Sequence, residues 1–367
     1  MSPNVIIDMS ENLFTKSFTF IHTADLHQGP DFSAQKWKNN IYQRANDFLE
    51  NFKIIIARSL QLDIDLLVIA GDLFDRSKPN PIIRQIIIDN LVKVSKVKPV
   101  LVIPGNHDRS KFTKGLLFIH SNLHIYNKPT IDKIIIKDIT LTITAIPFLR
   151  EKKLETINEI ITRNLKLPKT DFNLLMFHEL VESCKVGITN FEFTKNMKDV
   201  VPIDMIDEKF DYIALGHVHK YQQIPNSKTP IFYSGSVERT SVVEREEEKG
   251  FIIVKVIFNK TNNVKVLIPT FQTLPARKII YYKIESLQNF SLNQMIQELN
   301  QLLISIDKVP LVNIRIMHID NYSIYKEIKE YLKNLKSSLL IFDFQLSSPD
   351  FTFKLKSESS SRYLVES

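Results

Sequence analysis

Five strand-length apolar runs, each leading into a short polar motif, constrain this chain more than any other feature. Phe18–Ile21 leads into Asp25-Leu26-His27, and Leu66–Ala70 into Gly71-Asp72-Leu73-Phe74-Asp75. Pro99–Pro104 leads into Gly105-Asn106-His107-Asp108, Asn173–Phe177 into His178-Glu179, and Tyr212–Leu215 into Gly216-His217-Val218-His219. Such runs, alternating with segments of helical spacing, read as the buried strands of an α/β fold. Ligands of these folds bind beyond the carboxyl ends of the strands. The five motifs are therefore expected to meet at one site.

That site offers the donors that divalent cations take in hydrolytic centres: carboxylate, imidazole and amide oxygen. Asp25, His27, Asp72, Asn106, His178, His217 and His219 are the expected metal ligands. Two ions ~3.5–4 Å apart need a shared carboxylate, and Asp72, at the end of the most apolar run, is the expected bridge. Asn106 adds no charge, so the centre stays electropositive toward phosphate. A water shared by two ions is acidified enough to attack phosphorus in line near neutral pH, and the ions offset charge on the non-bridging oxygens. His107, beside Asn106, is expected to be catalytic, stabilising the transition state or protonating the leaving oxygen. Asp108 is expected as the second catalytic residue, orienting that imidazole or shaping the turn. Asp75 is expected to stand behind the ligands. A single histidine after a strand is more often structural than a ligand. Five of the nine histidines fall in the ordered motifs, which reverses that weighting. His22, His120, His124 and His318 read as structural.

Composition narrows the setting. The formal charge of +7 suits a polyanionic partner, and equally suits a lysine-rich surface with none. The charge is spread out, with no basic arm. The single Cys184 excludes an internal disulfide and points to reducing, intracellular surroundings, so a cytoplasmic, nucleoid-associated location is expected. No apolar stretch reaches the ~20 residues of a membrane span, and the amino-terminal residues do not resemble a signal peptide. There is no Gly-x-x-x-x-Gly-Lys loop and no Gly-x-Ser-x-Gly elbow; Ser234-Gly235-Ser236 reads as a turn at the rim of the site. With only 8 glycines, those inside the motifs are expected where the backbone turns sharply or a ligand comes close.

Along the chain, residues 1–16 read as an extension and 17–274 as one large domain of strand and helix units. Helices are expected over Ile41–Leu60, from Pro81 to Val94, and over Glu151–Asn164. The second of these is apolar nearly all round, which suits burial or a dimer contact. Strands are expected over Pro230–Ser234, Phe251–Phe258 and Asn263–Phe271, the last two joined by an Asn262-Asn263 turn. After Pro275 the pattern restarts. It gives strand Lys278–Ile284, helix Leu292–Ile304, strand Leu311–Ile319, helix Tyr322–Leu335 and strand Leu339–Leu346. This smaller β-α-β-α-β domain, 275–356, carries none of the motifs. The Ser/Glu-rich 357–367 reads as disordered.

Asp-x-His, Gly-Asp-x-x-Asp, Gly-Asn-His-Asp, a lone His and Gly-His-x-His, in this order, resemble the calcineurin-like metallophosphoesterases. His22–His27, Ala145–Arg150, Asp211–His219 and Tyr233–Ser236 with Glu238 resemble, more narrowly, the SbcD-type DNA double-strand-break repair nucleases. The resemblance covers roughly 18–350. It implies a two-sheet α+β sandwich flanked by helices, with residues 275–356 as a DNA-capping domain. It implies two manganese ions, with magnesium or another divalent ion as substitutes. One ion is implied on Asp25, His27, Asp72 and His219, the other on Asp72, Asn106, His178 and His217. It also implies a homodimer, a DNA substrate, and an SMC-like ATPase partner of the SbcC type. Asp75 matches the bacterial branch; the archaeal and eukaryotic branch places His there, which leaves the balance of exonuclease and endonuclease action open. The family continues into a helical ATPase-binding segment, for which the residues before Ser367 leave little room. The partner then binds elsewhere, or the chain is shortened, or it acts alone.

Lys36, Lys38, Arg44, Arg76, Lys78, Arg109, Lys111, Lys220 and Arg239 lie near motif loops and are candidate phosphate contacts; a solvated basic surface is the plainer account of each. Tyr221 and Tyr233 can stack on a base or pack against the rim. The leading expectation is a manganese-dependent DNA exonuclease/endonuclease acting on broken ends. A phosphodiesterase for small or cyclic nucleotides, or a DNA-end-binding scaffold subunit, are the alternatives.

Overall fold

Central strands buried on both faces divide their side chains among three cores around two sheets. The protein is described by a computed structural model covering residues 14–30, 36–37, 41–108, 120–151, 153–166, 169–259, 265–284, 291–304, 311–316, 322–338, 340–347 and 352–353. In chain order the main strands up to residue 273 are β1 (Phe14–Thr23), β2 (Leu66–Ala70), β3 (Val100–Ile103), β4 (Leu123–Ile125), β5 (Thr130–Ile136), β6 (Ile139–Ile146), β7 (Phe172–His178), β8 (Tyr212–Gly216), β9 (Gln222–Gln223), β10 (Ile231–Tyr233), β11 (Gly250–Asn259) and β12 (Lys265–Thr273). The helices between them are α1 (Gln43–Ser59), α2 (Pro81–Ser95) and α3 (Lys153–Leu165). Shorter two-residue pairings join Lys36–Trp37 to Ile41–Tyr42, Leu180–Val181 to Val200–Val201, and Lys185–Val186 to Phe191–Glu192.

One six-stranded sheet runs β12-β11-β1-β2-β3-β4 and the other β9-β10-β8-β7-β6-β5. From β1 to β4 and from β6 through β7 and β8 to β10 the pairings are parallel. Successive side chains of a strand point to opposite faces. Phe20, Val68, Leu101 and Ile103 therefore meet Ile143, Leu174, Met176 and Ala214 between the sheets. The alternate set, Ile21, Leu67, Ile69 and Val102, is covered by α1 and α2. On the far side Leu175, Phe177, Ile213 and Leu215 are covered by α3. The result is the helix–sheet–sheet–helix sandwich that the motifs imply, with each buried aliphatic side chain contributing roughly 1.5–3 kcal/mol.

Local signals explain the element ends. Pro81 opens α2, and Asn80 Oδ1 accepts the Ile82 N–H at 2.9 Å. Of its many isoleucines, Ile83, Ile87 and Ile88 are buried on the sheet, whereas Ile82 remains 45% exposed. Helix α1 starts at Gln43 rather than Ile41 because Ile41–Tyr42 pairs as a strand. Strand β1 takes in Phe14–Lys16, the end of the expected extension. Phe258 pairs with Lys265 as a hairpin requires, although the Asn262-Asn263 turn lies outside the described residues. So do residues 1–13, His318 and 357–367.

After residue 275 follow β13 (Ile279–Ile284), α4 (Leu292–Ile304), β14 (Leu311–Ile316), α5 (Tyr322–Ser338), β15 (Leu340–Ser347) and a short β16 (Thr352–Phe353). They form a separate sheet, β13-β14-β15-β16, whose core holds Tyr282, Met295, Leu299, Val312, Ile314 and Ile328. No helix among the described residues is long and apolar enough to cross a membrane.

Candidate metal centre

The parallel registers set five strand ends level, and the loops beyond them are bound to one another. The N–H groups of Asp25, His27 and Gln28 donate to the carbonyls of Gly71, Asp72 and Leu73, each at 3.0 Å. Unusual backbone accompanies this zipper. Asp25 (φ 50°), His27 (φ 38°), Asp72 (φ 49°) and His217 (φ 90°) all occupy the left-handed region. Such non-glycine positions cost about 1–3 kcal/mol each and cluster where function requires them. Two glycines make room for the donors. A Cβ on Gly71 would lie 1.9 Å from His178 Nδ1, and one on Gly105 would lie 2.2 Å from Asp72 Oδ1.

The structure brings together all seven residues expected as ligands. Asp25, His27 and His219 present donor atoms within 4.8 Å of one another, as do Asp25, Asp72 and His178. Asp72 Oδ2 lies 3.4 Å from His178 Nε2 and 3.8 Å from His27 Nε2, so it stands between the two groups. Asn106 Oδ1 lies 3.1 Å from His178 Nε2 and 2.9 Å from His217 Nδ1. Asp25 accepts the His217 N–H on both oxygens at 3.0 Å.

The histidines are turned by acceptors on their far sides. His178 Nδ1–H donates to Ala70 O at 2.7 Å, which leaves Nε2 toward Asp72 and Asn106. His219 Nδ1–H donates to Glu244 Oε1 at 3.0 Å, which leaves its Nε2 only 3.0 Å from His27 Nε2. Two imidazole nitrogens and two buried carboxylates confronting each other, with no Lys or Arg ion pair to Asp25 or Asp72 among the described residues, form a donor set that fits divalent cations. His27 Nδ1 is buried with no hydrogen-bond partner, 3.7 Å from Asp75. A cation between the two Nε2 atoms would let His27 hold its proton on Nδ1, toward that carboxylate.

Electrostatics bear the same stamp. Burial pushes the Asp25 carboxyl up and the His27 imidazole well below its usual range. At Asp72 burial also pushes upward, but the His178 charge and hydrogen bond more than reverse it, so the carboxyl stays well below the usual range. For His178 burial is outweighed by Asp72, which draws the imidazole up to about 9.

Around these donors the other motif residues take distinct places. The His107 N–H donates to Asp72 Oδ1 at 2.8 Å and its Nδ1–H to the Asp75 carbonyl at 2.8 Å, so the ring is held at the rim beside His27. Asp108 accepts the N–H groups of Leu73 (2.7 Å), Phe74 (2.8 Å) and Gly105 (3.2 Å). Of the two roles the sequence leaves open for it, those bonds serve the turn, lacing the β2 loop to the β3 loop. Burial and then Asp72 push its carboxyl up to about 7. His22 lies between the sheets, where Nε2–H donates to Leu215 O and Nδ1 accepts from the Tyr212 hydroxyl, each at 3.1 Å. Ser236 N–H donates to His219 O at 3.0 Å, so the Ser234–Ser236 turn backs the site as expected.

Sequence reasoning missed Glu244 and Lys249. Lys249 is buried and bonds Glu244 Oε2 (2.6 Å), Glu247 Oε2 (2.8 Å) and His219 O (3.0 Å). An acidic run closed by one lysine, soon after the last motif, was the available signal. Two candidate phosphate contacts must be withdrawn. Arg44 is fully buried against Asp47 (2.8 Å), and the Arg239 guanidinium is occupied by backbone carbonyls. Tyr233 is fully buried in the α3-side core and donates to Glu179 O, so it neither stacks on a base nor lies at the rim, whereas Tyr221 stacks on Phe271. Arg76 and Lys78 are exposed and Lys220 is half-buried, so these three stay candidates. The side chain of Lys36, and Lys38, Arg109 and Lys111 entirely, lie outside the described residues.

Residues 18–221 match the calcineurin-like phosphoesterase family. The chain belongs to that family. Within it, the chain is similar to the DNA double-strand break repair protein Mre11 of Archaeoglobus fulgidus, 26% identical over 64% of this chain and 57% of the relative. It is also similar to the D subunit of the nuclease SbcCD of Staphylococcus epidermidis, 26% identical over 66% of this chain and 67% of the relative. For the corresponding protein of Staphylococcus saprophyticus the values are 27%, 64% and 65%. The alignments thus span between 57% and 67% of these relatives' own lengths.

Proposed function

We propose that the protein is a two-metal phosphodiesterase that cuts DNA, working as an exonuclease/endonuclease on broken ends with manganese as its natural ion. The observation that carries this reading is the convergence of Asp25, His27, Asp72, Asn106, His178, His217 and His219 on one buried cluster, with Asp72 between its halves. The similarity to Mre11 and SbcD chains supports DNA as the substrate. The separate sheet after residue 275 supports a large substrate, since a small nucleotide needs no second platform; we assign that unit as the capping domain.

A pair of divalent cations, when bound, supplies Lewis acidity that lowers the pKa of water and offsets phosphate charge. The chain's own residues do the rest. Asp25, His27, Asp72 and His219 would hold one ion, and Asp72, Asn106, His178 and His217 the other. The closed registers and left-handed loops fix these donors before substrate arrives. His107 has Nδ1–H committed to the Asp75 carbonyl, so Nε2 is the atom that stabilises the charged phosphate or gives a proton to the leaving oxygen. Asp108 keeps the Gly105–His107 turn in place without entering the chemistry.

A second copy of the chain and an SbcC-type ATPase are the proposed partners, checked by light scattering and by co-purification. The activity test offers linear DNA to the purified chain with manganese. Cleavage is expected, with a loss of about 10²–10⁴-fold for His107→Ala while manganese still binds. An inactive wild type, or full activity in His107→Ala, would overturn the reading. A shallow salt dependence of DNA binding beside rapid turnover of a small diester would favour the nucleotide phosphodiesterase instead.

A further inference from the structure

The loop 239–249 touches the metal centre on one side and the start of the second unit on the other. On the metal side, Glu244 Oε1 holds His219 Nδ1 at 3.0 Å, and Lys249 fixes Glu244 from behind at 2.6 Å. On the other side, Arg239 spreads its guanidinium over four backbone carbonyls. Nε donates to Glu244 O (3.3 Å) and Nη2 to Glu247 O (2.7 Å), both in the loop. Nη1 donates to Ala276 O (3.3 Å) and Arg277 O (3.0 Å), both in the segment that leads into β13. The same segment is gripped from behind. Arg277 forms a two-bond fork with Asp47 of α1 at 2.6 Å, and its N–H donates to Glu238 at 2.8 Å. Leu274 N–H donates to Lys249 O at 2.7 Å. Arg245 lies over the Tyr281 ring of β13, 5.0 Å from its centre.

A carboxylate that bonds the far nitrogen of a metal-binding histidine sets its orientation and basicity. Here the backbone of that carboxylate is tied by one planar fork to the linker of another unit. Lysine cannot reproduce this, because it offers a point charge in place of the fork. We propose that Arg239 is a positioning residue that couples the seat of the second unit to the cation affinity of the His27–His219 half of the metal centre, through Glu244. The coupling is reciprocal by thermodynamic necessity. Binding of an ion by His219 steadies the 276–284 segment, and a substrate that reseats the second unit alters how tightly that ion is held. The inference rests on the two-metal reading above.

The test uses the whole chain and manganese alone. Manganese titrations followed by calorimetry and by electron paramagnetic resonance count the sites and their affinities. Amide exchange over 276–284 reports the linker. Wild type is expected to bind two ions and to gain protection over 276–284 when loaded. Glu244→Gln and Arg239→Lys are each expected to weaken one of the two ions about 10–100-fold, leave the other unchanged, and remove the manganese-dependent protection. Both changes keep side-chain length, and thermal melting of the metal-free proteins verifies that each folds. Two ions bound with wild-type affinities in Arg239→Lys, or protection that responds to manganese in Glu244→Gln as in wild type, overturns the coupling. A wild type that binds no manganese overturns the metal centre itself, which is a different failure.

Discussion

Aspartates sit at both ends of the sandwich, and the two ends treat them in opposite ways. At the amino ends of the strands, Asp65, Asp171 and Asp211 each stand one residue before a strand and accept an N–H from the neighbouring strand: Thr19 (2.9 Å), Thr140 (2.8 Å) and Asn173 (2.7 Å). Lys137 covers Asp65 at 2.9 Å and Lys265 covers Asp211 at 2.7 Å. At the carboxyl ends Asp25 and Asp72 are buried, lack any Lys or Arg ion pair among the described residues, and confront imidazoles on strained backbone. The first set closes hydrogen bonds that the fold needs. The second also accepts backbone N–H groups, from His217 and His107, but gathers around them more imidazoles and carboxylates than those turns need. Residue type is the same in both; position relative to the strand decides the role.

The sharpest way to break this contrast is Asp72→Ala. DNA cleavage with manganese is expected to fall on the order of 10³-fold. Metal-free stability in urea should fall as well, by about 1–3 kcal/mol, because the His107 N–H and the His178 imidazole lose their buried partner. A large loss of stability with activity retained would erase the distinction.

Buried histidines sharpen the same point. His178 is drawn up by Asp72, whereas His22, among neutral partners, is pushed by burial down to about 3. A group depressed in the folded state lets the unfolded chain take the proton first. The His22 contribution is therefore whole above pH 6.5 and is lost as pH falls toward 3, at about 1.4 kcal/mol per pH unit. Metal-free stability measured across that range should show this slope, reduced by one proton in His22→Phe. Equal slopes in both proteins would contradict the assigned environment.

Smaller effects belong to the amino ends. Asp211→Ala should cost about 1–3 kcal/mol in urea unfolding by orphaning the Asn173 N–H, with DNA cleavage unchanged. Lys137→Met, which removes an exposed ion pair, should cost less than about 1 kcal/mol. If either variant altered cleavage rates more than stability, the two ends would not be functionally separate.

Much of this was readable in the sequence because the signals were local. Apolar runs ending in polar motifs placed every donor of the cluster at a strand end, and Pro81 placed the start of α2. The glycine reasoning held at Gly71 and Gly105, where a side chain would strike His178 and Asp72. What escaped depends on contacts distant in the chain. Arg239 and Arg44 read as phosphate contacts because a sequence shows charge and not burial. Arg44 did carry a clue, since it shares the 44, 48, 52, 55 stripe with Phe48, Phe52 and Ile55, the buried face of α1. Glu244 and Lys249 were marked only by an acidic run closed by a lysine; the packing of their loop against His219 shows their place. The pairing of Ile41–Tyr42, which shortens α1, likewise depends on Lys36–Trp37 coming back alongside.

The left-handed backbone at Asp25, His27, Asp72 and His217 has a kinetic consequence. The work of arranging these groups is done once, when the chain folds, and is not repeated at each capture event. An arriving ion meets a rigid mould, so its uptake is timed by how fast it sheds its own hydration shell rather than by loops closing around it. Rapid-mixing measurements with ions of differing water-exchange rates should rank uptake in the order of those rates.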